Sequence, residues 1–114
     1  MKLAVYGTLR NGSETKGRVN KTSLVYPGHQ RFPAMIQDEK GKGTVVEVHD
    51  VTSQQLKEYD LYEGINTGLY KRVKVKVDMD SGKKIEAWTY VAGPELVRLT
   101  SVFKEIPNGD WYDR

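Results

Sequence analysis

Polar and apolar residues alternate with period two from Lys2 to Tyr6, which predicts a first strand with Leu3 and Val5 on one face. Gly7 interrupts it, and no periodic pattern resumes until about Ser23. Ser23 to His29 and Ala34 to Gln37 read as short strands set apart by Pro27-Gly28 and Pro33, and Asp38 to Gly43 as a charged turn. Thr44 to Val51 carries four valines and reads as a strand. Thr52 followed by Gln55 is a capping-box pattern that opens a helix. Leu56, Tyr59 and then Leu61 or Tyr62 give that helix a partial apolar stripe, and Gly64 is its stop. From Leu69 to Met79, Val73, Val75 and Val77 share one face of a strand while Arg72, Lys74 and Lys76 share the other. Asp80 to Lys84 turns the chain and Ile85 to Ala92 returns, a β-hairpin ended by Gly93-Pro94. Glu95 to Lys104 predicts a short second helix before the aromatic, polar segment Pro107 to Tyr112.

Many short strands around few helices, with no regular strand-helix alternation, predict a mostly antiparallel α+β fold that is barrel-like around one main helix. The chain has 114 residues without repeat or linker, so residues 1–114 read as a single domain. Apolar content of 38% and charge of 29% are ordinary for a globular protein. No apolar run approaches the ~18–20 residues of a membrane span, and the first residues do not read as a signal peptide. The expectation is a cytoplasmic protein without a membrane partner. Its 18 basic and 15 acidic side chains leave a dispersed net charge of +3, which argues against nucleic acid as a partner. Oligomeric state stays open.

The absence of cysteine excludes disulfides, thiolate zinc sites and a cysteine nucleophile. Two histidines, His29 and His49, without metal-ligand spacing argue against a metal site. The serines have no nucleophile-elbow context, and Gly41-Lys42-Gly43-Thr44 lacks the glycine spacing of a phosphate-binding loop. Two features remain. Gly7 follows the first strand and reads as a backbone bend with positive φ, where a ligand approaches main-chain N–H groups; Arg10, Asn11, Gly12 and Ser13 extend a polar loop that suits an anion or oxyanion. Glu63 lies at the helix C-terminus among Tyr59, Leu61 and Tyr62. Burial among tyrosines and the negative end of the helix dipole both raise its pKa, as suits an acid/base group; its plainer reading is a solvated carboxylate before a glycine cap.

Val5-Tyr6-Gly7-Thr8-Leu9, Tyr59-Asp60-Leu61-Tyr62-Glu63-Gly64, Tyr70 to Val75, Ala87-Trp88-Thr89-Tyr90-Val91 and Ile106 to Trp111 occur in an order that resembles the γ-glutamylcyclotransferase-like family. That family includes γ-glutamylamine cyclotransferases and AIG2-like proteins. The resemblance implies a small barrel with a cavity, no cofactor and no metal. It assigns substrate binding to Tyr6, Gly7, Thr8 and Leu9, the catalytic proton shuttle to Glu63, and further cavity lining to Tyr70 and Tyr90. The implied reaction cyclises a small γ-glutamyl amide to 5-oxoproline and frees an amine of open identity. A non-catalytic small-molecule-binding or regulatory module on the same fold is the alternative. Val46 before Glu47 stands where many relatives have glycine, which predicts a narrowed or reshaped pocket.

Overall fold

The computed structural model describes every residue except 8, 13–14, 28–31, 100–101 and 114, with only the backbone of Leu99 and Asp113. Predictions resting on Thr8, Ser13, His29 and Ser101 therefore lie outside the described residues. Strand β1 (Lys2–Val5) is buried on both faces, not one: Ala4 enters one apolar cluster while Leu3 and Val5 enter another. That places β1 between two layers of the protein.

Five strands form a barrel. β2 is Lys16–Val19, β3 Thr22–Pro27, β4 Ala34–Gln37, β5 Thr44–Asp50, β6 Tyr70–Met79 and β7 Lys84–Ala92. β5 lies antiparallel to β1, with Val5 opposite Glu47, and antiparallel to β2, with Lys16 opposite the same glutamate. β2 pairs with β6, and β6 with β7 from Tyr70 opposite Ala92 to Asp78 opposite Lys84. A parallel contact between Leu3 and Trp88 closes the ring. Beyond the seam, β7 meets β4 in parallel at Met35 and Val91. β4 then pairs with β3, and β3 with β8 (Phe103–Glu105), both antiparallel.

The hairpin arises where the sequence predicts it, because the valine and lysine faces of β6 match inside and outside. Val77 is fully buried, and Val75 packs against the same cluster. Strand β2 is absent from the sequence reading. Four residues with glycine at the second position carry no visible alternation, yet Gly17 is what lets β2 approach β6: a Cβ there would stand 2.6 Å from Val77 Cγ1.

Helix α1 (Ser53–Tyr62) starts with both halves of the capping box formed between Thr52 and Gln55. Of its apolar stripe, Leu56 is buried and Tyr59 packs beside it, while Leu61 and Tyr62 are exposed. Leu56 alone contributes about 1.5–3 kcal/mol by leaving water. Glu63 is the C-cap, and Gly64 takes the left-handed conformation at φ 69° that ends the helix. The second helix, α2 (Pro94–Leu99), is shorter than the predicted Glu95 to Lys104. Phe103–Glu105 forms β8 instead, since the edge of β3 offers Val25 and Pro27 as backbone partners. No helix among the described residues is long and apolar enough to cross a membrane.

Candidate active site

The end of β1 and the C-cap of α1 converge on a pocket of about 200 Å³. Tyr6, Gly7 and Leu9 line it from the first loop and Glu63 from the helix end. Tyr70 opens β6 on one wall, Tyr90 stands on β7, and Phe32, Pro33 and Leu69 add apolar surface. Six of the sequence-predicted site residues are thus gathered in one place; Thr8 lies outside the described residues. Val46, expected to reshape the pocket, does not line it. Its side chain is fully buried in the barrel cluster with Ala4 and Val48.

Gly7 is required here for a different reason from the one its turn suggests. Its φ lies outside the left-handed region, but a Cβ on it would stand 2.7 Å from Pro33 Cγ. The residue is glycine because the β1 end and the segment entering β4 touch. Left-handed backbone occurs further on, at Gly12.

The tyrosine hydroxyls are committed to the walls. Tyr6 donates to the Tyr90 carbonyl at 2.6 Å and accepts from the Met35 N–H at 3.2 Å. Tyr70 donates to the Pro33 carbonyl at 2.8 Å, and Tyr90 to Asp60 Oδ1 at 2.8 Å. Arg72 Nε stands 3.5 Å from the same Asp60 oxygen, with its guanidinium over the Trp88 ring. Burial, more than any neighbour, pushes all three hydroxyls above the ordinary tyrosine value, so they remain neutral donors. The basic strand face is thus partly spent on holding α1 to β6.

Glu63 differs from every other carboxylate of the site. Its side-chain carboxylate has no hydrogen-bond or ion-pair partner among the described residues, and burial pushes it up to about 7. A half-buried, unpaired carboxylate that titrates near neutrality can both take and return a proton. Among the described residues, no group of three or more His, Asp or Glu could hold a metal ion.

The sequence profile described as gamma-glutamyl cyclotransferase, AIG2-like, matches residues 3–113. The chain belongs to this family. It is 35% identical over 98 residues to a Methanocaldococcus jannaschii protein provisionally named a gamma-glutamylcyclotransferase, a match covering 75% of this chain and 79% of that one. A similarly named Halalkalibacterium halodurans protein is 31% identical over 93 residues, covering 78% of each. The fold is similar to that of the Mus musculus AIG2-like protein, with a TM-score of 0.69 and 22% identity, covering 84% of this chain and 81% of that one.

In this AIG2-like chain the polar loop after Gly7 does meet an anion, but the anion is the protein's own Glu47 carboxylate. Arg10, 6% exposed, sends Nε to Glu47 Oε2 at 2.9 Å and Nη1 to Asp110 Oδ1 at 2.7 Å. Glu47 is fully buried and also accepts the Asn11 and Gly12 N–H groups at 2.9 and 3.2 Å. Burial pushes the Glu47 carboxyl up, but these bonds and the guanidinium charge outweigh it and hold it below the usual carboxylate range. His49 Nε2 lies 3.3 Å from Glu47 Oε1 yet has no well-formed hydrogen bond among the described residues. The available signal was Glu47 itself, a lone carboxylate among Val45, Val46 and Val48 that demanded a buried cation.

Proposed function

We propose that this protein is a γ-glutamyl cyclotransferase whose substrate is a small γ-glutamyl amide. Its α-amine attacks its own γ-carbonyl; the new C–N bond closes the five-membered lactam 5-oxoproline, and the old amide C–N bond breaks to release an amine. Glu63 takes one proton from the α-ammonium to free the attacking amine and delivers it to the departing nitrogen. The second proton, shed as the lactam forms, leaves by the same carboxylate and ends on the released amine as its ammonium form. The reaction needs no protein nucleophile, metal or cofactor. Because nucleophile and electrophile are in one molecule, the pocket's task is to hold the folded, reactive conformer, which can supply roughly 7–11 kcal/mol. Tyr6, Gly7 and Leu9, with Thr8 of the same loop, bind the glutamyl end; Tyr70 and Tyr90 shape the wall.

The observation that carries this reading is the unpaired Glu63 carboxyl, raised to about 7, opening onto the same pocket as the Tyr6-Gly7 turn. Membership of the family and the names of two relatives support it. The test is mass spectrometry of purified protein incubated with γ-glutamyl amino acids, γ-glutamyl amines and γ-glutamyl-lysine. The expected result is 5-oxoproline from the wild type and none from Glu63→Gln. Free glutamate would make the enzyme a hydrolase, and wild-type turnover by Glu63→Gln would remove the shuttle role.

A further inference from the structure

Trp111 is buried in the barrel cluster, edge-on to Tyr26 with ring centroids 6.1 Å apart. The Gly109 carbonyl accepts from the Val45 N–H at 2.8 Å. These contacts fasten the C-terminal segment to the barrel. The residues on either side of Trp111 then reach a different target. Asp110 Oδ1 accepts from Arg10 Nη1 at 2.7 Å and from the Tyr112 N–H at 3.0 Å. Tyr112 lays its ring against the Arg10 guanidinium, 4.0 Å from centroid to Cζ, and its hydroxyl donates to the Arg10 carbonyl at 2.7 Å.

Arg10 closes the turn that begins at Gly7, its N–H donating to the Gly7 carbonyl at 3.0 Å. Glu47, on β5, holds the next two amides. The stretch leaving the pocket is therefore gripped from two sides: by a buried carboxylate of the barrel, and by the C-terminal segment through both the side chain and the main chain of Arg10. Tyr112 is 54% exposed, and the contacts given for its side chain all fall on Arg10.

We propose that Asp110 and Tyr112 are positioning residues, forming a strap that sets the Gly7–Gly12 turn through Arg10 and thereby sets substrate affinity. The strap acts on binding rather than on proton transfer, because its contacts lie on the loop and none is made to Glu63. This inference rests on the cyclotransferase reading for its substrate, and on geometry alone for the loop.

The experiment compares the wild type with Tyr112→Phe, Asp110→Ala and Asp110→Asn, leaving Trp111 in place to keep the segment anchored. Amide hydrogen exchange at Arg10, Asn11 and Gly12 should speed up roughly tenfold in Tyr112→Phe and Asp110→Ala, as loss of a local hydrogen bond loosens the turn. KM for the best γ-glutamyl substrate should rise roughly three- to tenfold in both, with kcat and the pH limb of Glu63 unchanged. Asp110→Asn keeps the accepting oxygen and should recover part of both effects. Exchange and KM at wild-type values, with only a lower Tm, would overturn the strap. If the wild type turns over no substrate, the cyclotransferase reading fails, and amide exchange in the same variants still decides whether the strap exists.

Discussion

The Tyr6 hydroxyl donates to the Tyr90 carbonyl at 2.6 Å, joining the residue that follows the first strand to β7, its neighbour across the barrel seam. The same oxygen accepts from the Met35 N–H, so one phenol satisfies backbone groups of β7 and β4 together. Tyr6→Phe keeps the ring and leaves both groups buried without that partner. It should cost about 1–3 kcal/mol of stability, read as a lower urea midpoint at unchanged m-value. An unchanged midpoint would mean that another group takes over both bonds.

Glu63 makes stability depend on pH in a direction opposite to most carboxylates. Its folded pKa is about 7 against an ordinary 4.5, so the folded state binds the proton more tightly. The contribution is fully present below 4.5 and is lost as pH rises through about 7. Glu63→Gln fixes the neutral form and removes this loss. It should match the wild type at pH 4 and exceed it at pH 8 by about 1–2 kcal/mol, the full shift being discounted for solvent reaching the carboxylate. Parallel denaturation curves at the two pH values would refute the buried-carboxyl assignment.

The Arg10–Glu47 pair has the opposite sign. Glu47 is held below the usual carboxylate range, so its stabilisation is present above the ordinary value and fades as pH falls through the folded one. Arg10→Met strands a fully buried carboxylate and should cost about 3–5 kcal/mol near neutral pH. Adding Glu47→Leu to it should restore part of that loss, a non-additivity that calorimetric melting of the two single variants and the double variant measures.

Gly7→Ala puts a methyl group into the Pro33 ring. Relieving the overlap moves the turn that lines the pocket, at a cost of about 1–3 kcal/mol in stability. kcat/KM should fall with it, whereas Gly82→Ala in the distant hairpin turn should leave kcat/KM alone. Equal kcat/KM for the Gly7→Ala and wild-type proteins would show that the contact with Pro33 does not shape the pocket.

Sequence made the locally encoded elements readable. The α1 cap, its Gly64 stop and the β6–β7 hairpin are each written within a few residues, and each forms as predicted. β2 and β8 are strands because of their neighbours. Gly17 fits under Val77 and Phe103 lies opposite Pro27, relations that no window along the chain contains. The site divides the same way. Tyr6, Gly7, Leu9, Glu63, Tyr70 and Tyr90 were named through short motifs and lie around one pocket. Arg10, Asn11 and Gly12 read as an anion-binding loop. That the anion is Glu47, and that Asp110 and Asp60 pair with Arg10 and Tyr90, is not legible because the partners are far away in sequence. Gly7 was noticed for its backbone freedom, and the structure assigns its small size the decisive part.

The seam at Leu3 and Trp88 bears on how the chain is born. As it leaves the ribosome, β1 emerges with two apolar faces long before the strand that closes against it exists. Pairing β3 with β4 closes a short loop, while joining β1 to β7 carries the entropy of a loop that spans most of the chain. Tyr6 stands on one side of that gap and Tyr90 on the other, so the pocket has no half-made form. A chain that ends before β7 lacks Tyr90 and so one wall of the pocket, and it leaves that edge of β1 without its partner strand.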